Sequence, residues 1–152
     1  GDFLHGPGTV MGYLRTLPAK QHEAIPGHNP LGGWMVMLLL LGFLAQAIMG
    51  LFSNDDILFD GPLRSLVSKE TSDSLTALHG ELFEMLLVLV GLHIAAVFYY
   101  RVRKGEHLVR AMITGYKELP ATAGAQPSRG GKIWLAALIL ALCAGVVYLI
   151  VG

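Results

Sequence analysis

His79 and His93 are the residues whose type and spacing best fit a chemical task. Fourteen residues separate them. On an α-helix that is about 1400°, about 40° short of four full turns, with a rise of about 21 Å. Both imidazoles then lie on one side of the helix, near opposite faces of a hydrocarbon layer. Leu82, Phe83, Leu86, Val90 and Val97 share that side, and Gly80 and Gly91 leave room for a large flat group to approach the backbone. Ionisable residues inside an apolar span are costly and mark function by default. Neutral imidazole ligates haem iron. Two histidines so placed can hold two haems stacked across a membrane, as axial ligands of the haem irons. The plain alternative is that each His hydrogen-bonds a neighbouring helix.

Other metals fit less well. Zinc and di-iron sites need ligands clustered within a few ångströms, such as Glu-x-x-His pairs. Glu84 follows His79 by five residues and points about 140° away from it. The single cysteine, Cys143, excludes a disulfide framework and a Cys-built zinc or iron–sulfur site; it reads as a buried small apolar residue. Glu81 and Glu84 face away from the His side. Proton exchange, a quinone pocket, or pairing with Arg64 or Lys69 are open to them, and interfacial solvation is the simplest reading. Gln46 reads as a hydrogen-bond partner of another helix, and Gly42 and Gly50 as close-packing positions.

The elements that must position these residues follow from composition. The chain has 152 residues, 53% hydrophobic and only 14% charged, with a mean hydropathy of +0.56. A soluble domain carries about a quarter charged residues, so a water-soluble globule is excluded. Net charge is zero, with 11 basic and 11 acidic residues, which leaves no field for nucleic acid. Three stretches are long enough to span a bilayer: 34–52, 75–100 and 133–151. The expected fold is all-α, a transmembrane helical bundle with three spans. Seven of the 11 basic residues lie in 101–132, and five of the 11 acidic residues lie in 53–74. Positive residues favour the cytoplasmic side.

The expected layout follows. Residues 1–33 form a cytoplasmic arm with a short amphipathic helix from Pro7 to Leu17, and 34–52 the first span. Residues 53–74 form a periplasmic loop, and 75–100 the span carrying both histidines. Residues 101–132 form a cytoplasmic segment, amphipathic over 106–116 and linker-like over 118–131. Residues 133–152 form a C-terminal span. Trp34, Tyr99, Tyr100, Trp134 and Tyr148 sit where interfacial aromatics belong.

Two motifs are more specific than hydropathy. Gly27-His28-Asn29-Pro30-Leu31-Gly32-Gly33 precedes the first span, and Glu106-His107-Leu108-Val109-Arg110-Ala111-Met112-Ile113-Thr114-Gly115 follows the second. They resemble elements of the bacterial cytochrome b561 / nickel-hydrogenase b-type cytochrome group, and the likeness runs from about residue 3 to residue 117. Leu78-His79 and Leu92-His93 stand where that group's ligand helix carries its two histidines. The resemblance implies a four-helix core with two b haems, His79 ligating the haem near the outer face and His93 the haem near the inner face. The opposite ligands come from the family's first two helices, which have no counterpart here. The opening fourteen residues, GDFLHGPGTVMGYL, resemble the connection after the second of them. The expectation is an N-terminally truncated piece, or missing ligands supplied by another polypeptide.

The implied function is electron transport in the bacterial inner membrane. Electrons pass between the quinone pool, or a membrane dehydrogenase or hydrogenase, and a c-type cytochrome or other redox partner, with membrane lipid as solvent. A non-redox membrane anchor and a hydrogenase-linked b subunit are the alternatives. His5, His22, His28 and His107 lie in aqueous arms or at the interface and do not replace the missing ligands. Asn29-Pro30 is a helix-start signal, so His28 reads as part of a cap before it reads as a propionate contact. Arg101, Arg103 and Lys104 read first as inside-facing charges, and contact between one of them and a propionate of the haem near His93 is the second reading.

Overall fold

The computed structural model describes residues 4–16, 29–105, 107–115 and 132–151. Five α-helices follow in order: α1 (Pro7–Thr16), α2 (Pro30–Phe52), α3 (Lys69–Arg103), α4 (Leu108–Thr114) and α5 (Ile133–Val151). A short 3-10 turn, Arg64–Leu66, stands between α2 and α3. The described residues contain no strand beyond a single bridge, Asn54 to Asp60. The chain is all-α. Helices α2, α3 and α5 are long and apolar enough to cross a membrane. Their leucines, isoleucines and phenylalanines stand exposed: Leu40 is 62% exposed, Ile94 62%, Leu149 83%. A soluble monomer does not expose apolar surface on this scale, whereas lipid solvates it.

Local chemistry explains the helix ends. α2 starts four residues ahead of the expected span at Trp34, because Asn29 caps it. Its side-chain Oδ1 accepts the Gly32 N–H at 2.6 Å, its carbonyl accepts the Gly33 N–H at 3.0 Å, and Pro30 takes the first helical position. α3 starts six residues ahead of the expected 75. Ser68 caps it through the Thr71 N–H, 3.2 Å from its Oγ, and Glu70 lies in the first turn. The polar residues 69–74 thus extend the helix beyond the apolar stretch. At the other end Gly105, at φ +68°, breaks the chain away. α4 is shorter than the expected 106–116. Gly115 ends it in the left-handed conformation, donating to the Ala111 carbonyl. α1 ends at Thr16. Leu17, Tyr116 and the linker 118–131 lie outside the described residues.

Two compact units divide the chain. The first takes Gly1–Leu44 and Phe83–Ala125. Within it, Gly42 of α2 lies against Leu86 of α3, which is 3% exposed. A Cβ on Gly42 would stand 2.7 Å from Leu86 Cδ2, so the glycine permits this approach. The arm is tied in by its aromatics. Trp34 Nε1 donates to the His5 carbonyl at 2.8 Å, and the Tyr13 and Tyr100 hydroxyls share a hydrogen bond of 2.5 Å. The second unit takes Ala45–Leu82 and Gln126–Gly152. Its loop folds back on the end of α2. Gly61 donates to the Ser53 carbonyl and Leu63 to the Leu51 carbonyl. A Cβ on Gly61 would fall 2.4 Å from the Leu51 oxygen, so only glycine fits there. No residue of α5 is buried. Cys143, expected to be buried, is exposed; the apolar surface of α5 is of the kind lipid covers.

Candidate functional site

A buried polar knot lies at the start of α3. Ser72, fully buried, donates to the Phe52 carbonyl at 2.7 Å and accepts from Asn54 Nδ2 at 2.5 Å. Asn54 Nδ2 also donates to Asp73 at 3.0 Å, and the Asn54 N–H donates to Thr76 Oγ1. Each polar group finds a partner, as burial requires. Outside the knot, Asp55 Oδ1 accepts the N–H groups of Ile57, Leu58 and Phe59 at 2.8–2.9 Å. Those donors, Phe59 first and then Ile57 and Leu58, hold the Asp55 carboxyl below its usual range. Lys69 pairs with Asp56 and Asp73, not with Glu81 or Glu84, because Asp73 lies one turn along its own helix. Arg64 donates to the Val67 carbonyl instead. Glu81 and Glu84 are exposed.

His79 lies one and two turns further along α3 from this knot and is partly buried. Its Nδ1 is 3.0 Å from the Gln46 carbonyl, and its Nε2 is 3.0 Å from the Gln46 side-chain nitrogen. A carbonyl only accepts, so Nδ1 carries the proton and donates. Nε2 is then a bare lone pair, and the Gln46 amide must donate to it. One residue of α2 thus fixes the ring plane and the tautomer, and its amide occupies the Nε2 lone pair. Gly50, one turn beyond Gln46, makes space for the ring: a Cβ there would be 3.2 Å from His79 Cε1. Gln46 Oε1 is buried and has no hydrogen-bond partner.

His93 is on the same helix and is also partly buried. It makes no hydrogen bond among the described residues. No group of three or more His, Cys, Asp or Glu that could hold a metal ion gathers among the described residues. Cβ atoms added to Gly80 or Gly91 would meet nothing within 4 Å. The α3 surface is therefore open at both glycines. Of the other histidines, His5 gives its carbonyl to Trp34 and keeps a buried, unpartnered Nδ1. His107 Nε2 accepts from Arg101 at 2.7 Å. His22 and His28 lie outside the described residues. The sequence placed Gln46 against another helix. It did not show that the partner is His79; the four-residue spacing of Gly42, Gln46 and Gly50, one stripe of α2, is the signal that marks the approach.

The residues present fit an imidazole-ligated haem at His79 in part: the ring is oriented, its Nδ1–H is held by a carbonyl and its neighbour Gly50 is small, while Nε2 is taken by the Gln46 amide. The described residues thus show a partly buried imidazole held between two apolar helices of an all-helical chain. The family model of prokaryotic cytochrome b561 matches residues 7–115, 109 of the chain's 152 residues. The chain belongs to that family, whose members are b-type cytochromes of the membrane. No curated protein and no solved structure matches it.

Proposed function

We propose that this chain carries electrons in the bacterial inner membrane through b haems held by His79 and His93. The observation that carries the reading is the His79–Gln46 pair. A metal-ligating His usually donates its other ring N–H to a carbonyl or carboxylate, which fixes the tautomer and raises ligand basicity. His79 Nδ1 makes such a bond, to the Gln46 carbonyl. Bound haem supplies a one-electron iron couple. His79 and His93 supply imidazole nitrogen, and the apolar α3 surface supplies burial. The Gln46 carbonyl would hold the His79 ring through Nδ1, and the Gln46 side-chain amide would have to give up Nε2 for that nitrogen to serve as a ligand. The donor is the quinone pool or a membrane dehydrogenase or hydrogenase, and the acceptor a c-type cytochrome or similar redox partner.

The anchor reading keeps one observation in its favour: the Gln46 amide already satisfies Nε2, as an interhelical hydrogen bond would. A reduced-minus-oxidised spectrum of the purified protein separates the two. A b-type signal that falls by about half in His79→Ala and again in His93→Ala is the expected outcome. A colourless protein that still folds, or a signal unchanged in both variants, leaves the anchor.

A further inference from the structure

A second site stands at the other end of α3, away from His79. The last turns of α3 and the start of α4 enclose a half-open groove of about 290 Å³. Ile94, Val97, Phe98 and Leu108 wall it, and Arg101 and His107 stand among its lining. Apolar walls beside a fixed cation match an amphiphile with an anionic head. Arg101 Nη1 donates to His107 Nε2 at 2.7 Å, which positions the guanidinium and leaves its other N–H donors for a ligand. Arg is the side chain best shaped for a phosphodiester, through two parallel N–H···O bonds. The depth also fits. The sequence of α3 passes from the apolar run 94–100 to Arg101 and Arg103, the change expected where a span leaves hydrocarbon for headgroups. α4 presents Val109, Met112 and Ile113, 55–80% exposed, as an interfacial helix does.

We propose that this groove binds one anionic phospholipid, its phosphate on Arg101 and His107 and an acyl chain along Ile94, Val97 and Phe98. Basic pockets at the cytoplasmic ends of membrane helices bind such headgroups. The proposal is independent of the haem reading.

The test is native mass spectrometry of the purified chain in detergent, with phosphatidylglycerol or phosphatidylcholine added. The wild type should retain phosphatidylglycerol about tenfold over phosphatidylcholine. Arg101→Gln should abolish that preference. Arg103→Gln, the same charge change two residues away and outside the groove, should keep it. Val97→Phe, which fills the groove without touching charge, should also lose the lipid, and it decides the matter if Arg101→Gln lowers helix content. Inorganic phosphate should not displace the lipid, because the acyl chain contributes binding. Equal retention of the two lipids, equal loss in Arg103→Gln, or displacement by inorganic phosphate would overturn the site. So would a loss of b-type absorption in Arg101→Gln with lipid retention unchanged, which would assign the guanidinium to a haem propionate.

Discussion

His79 and His93 share one side of one helix, yet their surroundings differ in kind. Around His79 the structure is polar and oriented: Gln46 on both ring nitrogens, then Asn54, Ser72, Asp73 and Thr76 joined in one network. Around His93 no hydrogen bond among the described residues fixes the ring, and in the same unit α2 and α3 meet in an apolar contact, Gly42 against Leu86. The difference teaches where rigidity comes from in a chain solvated by lipid. Apolar contact between helices competes with equally apolar lipid, so it fixes position weakly. Hydrogen bonds have no such competitor in hydrocarbon and fix direction. The His79 ring is fixed by Gln46 of its own chain.

Glycine substitutions give the largest expected effect and test that contrast directly. Gly61→Ala drives a Cβ into the Leu51 and Gly50 carbonyl oxygens, 2.4 and 2.6 Å away; backbone cannot yield, and the loss should reach about 3 kcal/mol. Gly42→Ala meets only the tip of the Leu86 side chain at 2.7 Å, which can rotate, so about 1 kcal/mol or less is expected. Thermal unfolding in detergent checks both, and equal losses would erase the distinction between a fixed contact at Gly61 and a yielding one at Gly42.

Ser72→Ala comes next. It strips the partner of both Asn54 Nδ2 and the Phe52 carbonyl and should cost about 1–3 kcal/mol by the same assay.

Gln46→Leu should act in the opposite sense on ligand binding. It keeps the backbone carbonyl that holds Nδ1 and removes the amide that occupies Nε2. A net hydrogen bond is worth about 0.5–1.5 kcal/mol, so haem should bind at His79 up to about tenfold more tightly. Haem titration of the purified apo-protein reads this. Affinity at His93 should not move; a change at both sites would mean that the amide acts on the whole helix pair.

The smallest effect is the pH response of the 57–59 turn. Folding lowers the Asp55 pKa, so its contribution is full above the unfolded value near 3.9 and fades as pH falls through the lower folded value. Amide chemical shifts of Ile57, Leu58 and Phe59 should stay constant from neutral pH down to about 5 and change only in acid below about 4. Asp55→Asn should remove that acid step.

Much of the fold was legible because it is local. Span length, the Asn29-Pro30 start and the flanking charges each act within a few residues of where they are read. The bounds that moved did so for equally local reasons that hydropathy does not weigh: Ser68 capped α3 early, and Gly115 closed α4 early. Exposure of Cys143 was not legible, since an apolar residue looks the same whether protein or lipid covers it.

The sequence by itself determined an all-helical membrane chain and put two histidines on one side of one span. Helical period and hydrophobic length are enough for that. Only tertiary structure decided what those histidines face. His79 finds its partner 33 residues away on another helix, and Asn54 finds Ser72 across a folded loop. Which nitrogen carries the proton depends on a carbonyl brought near by packing, and no spacing along the chain contains that information.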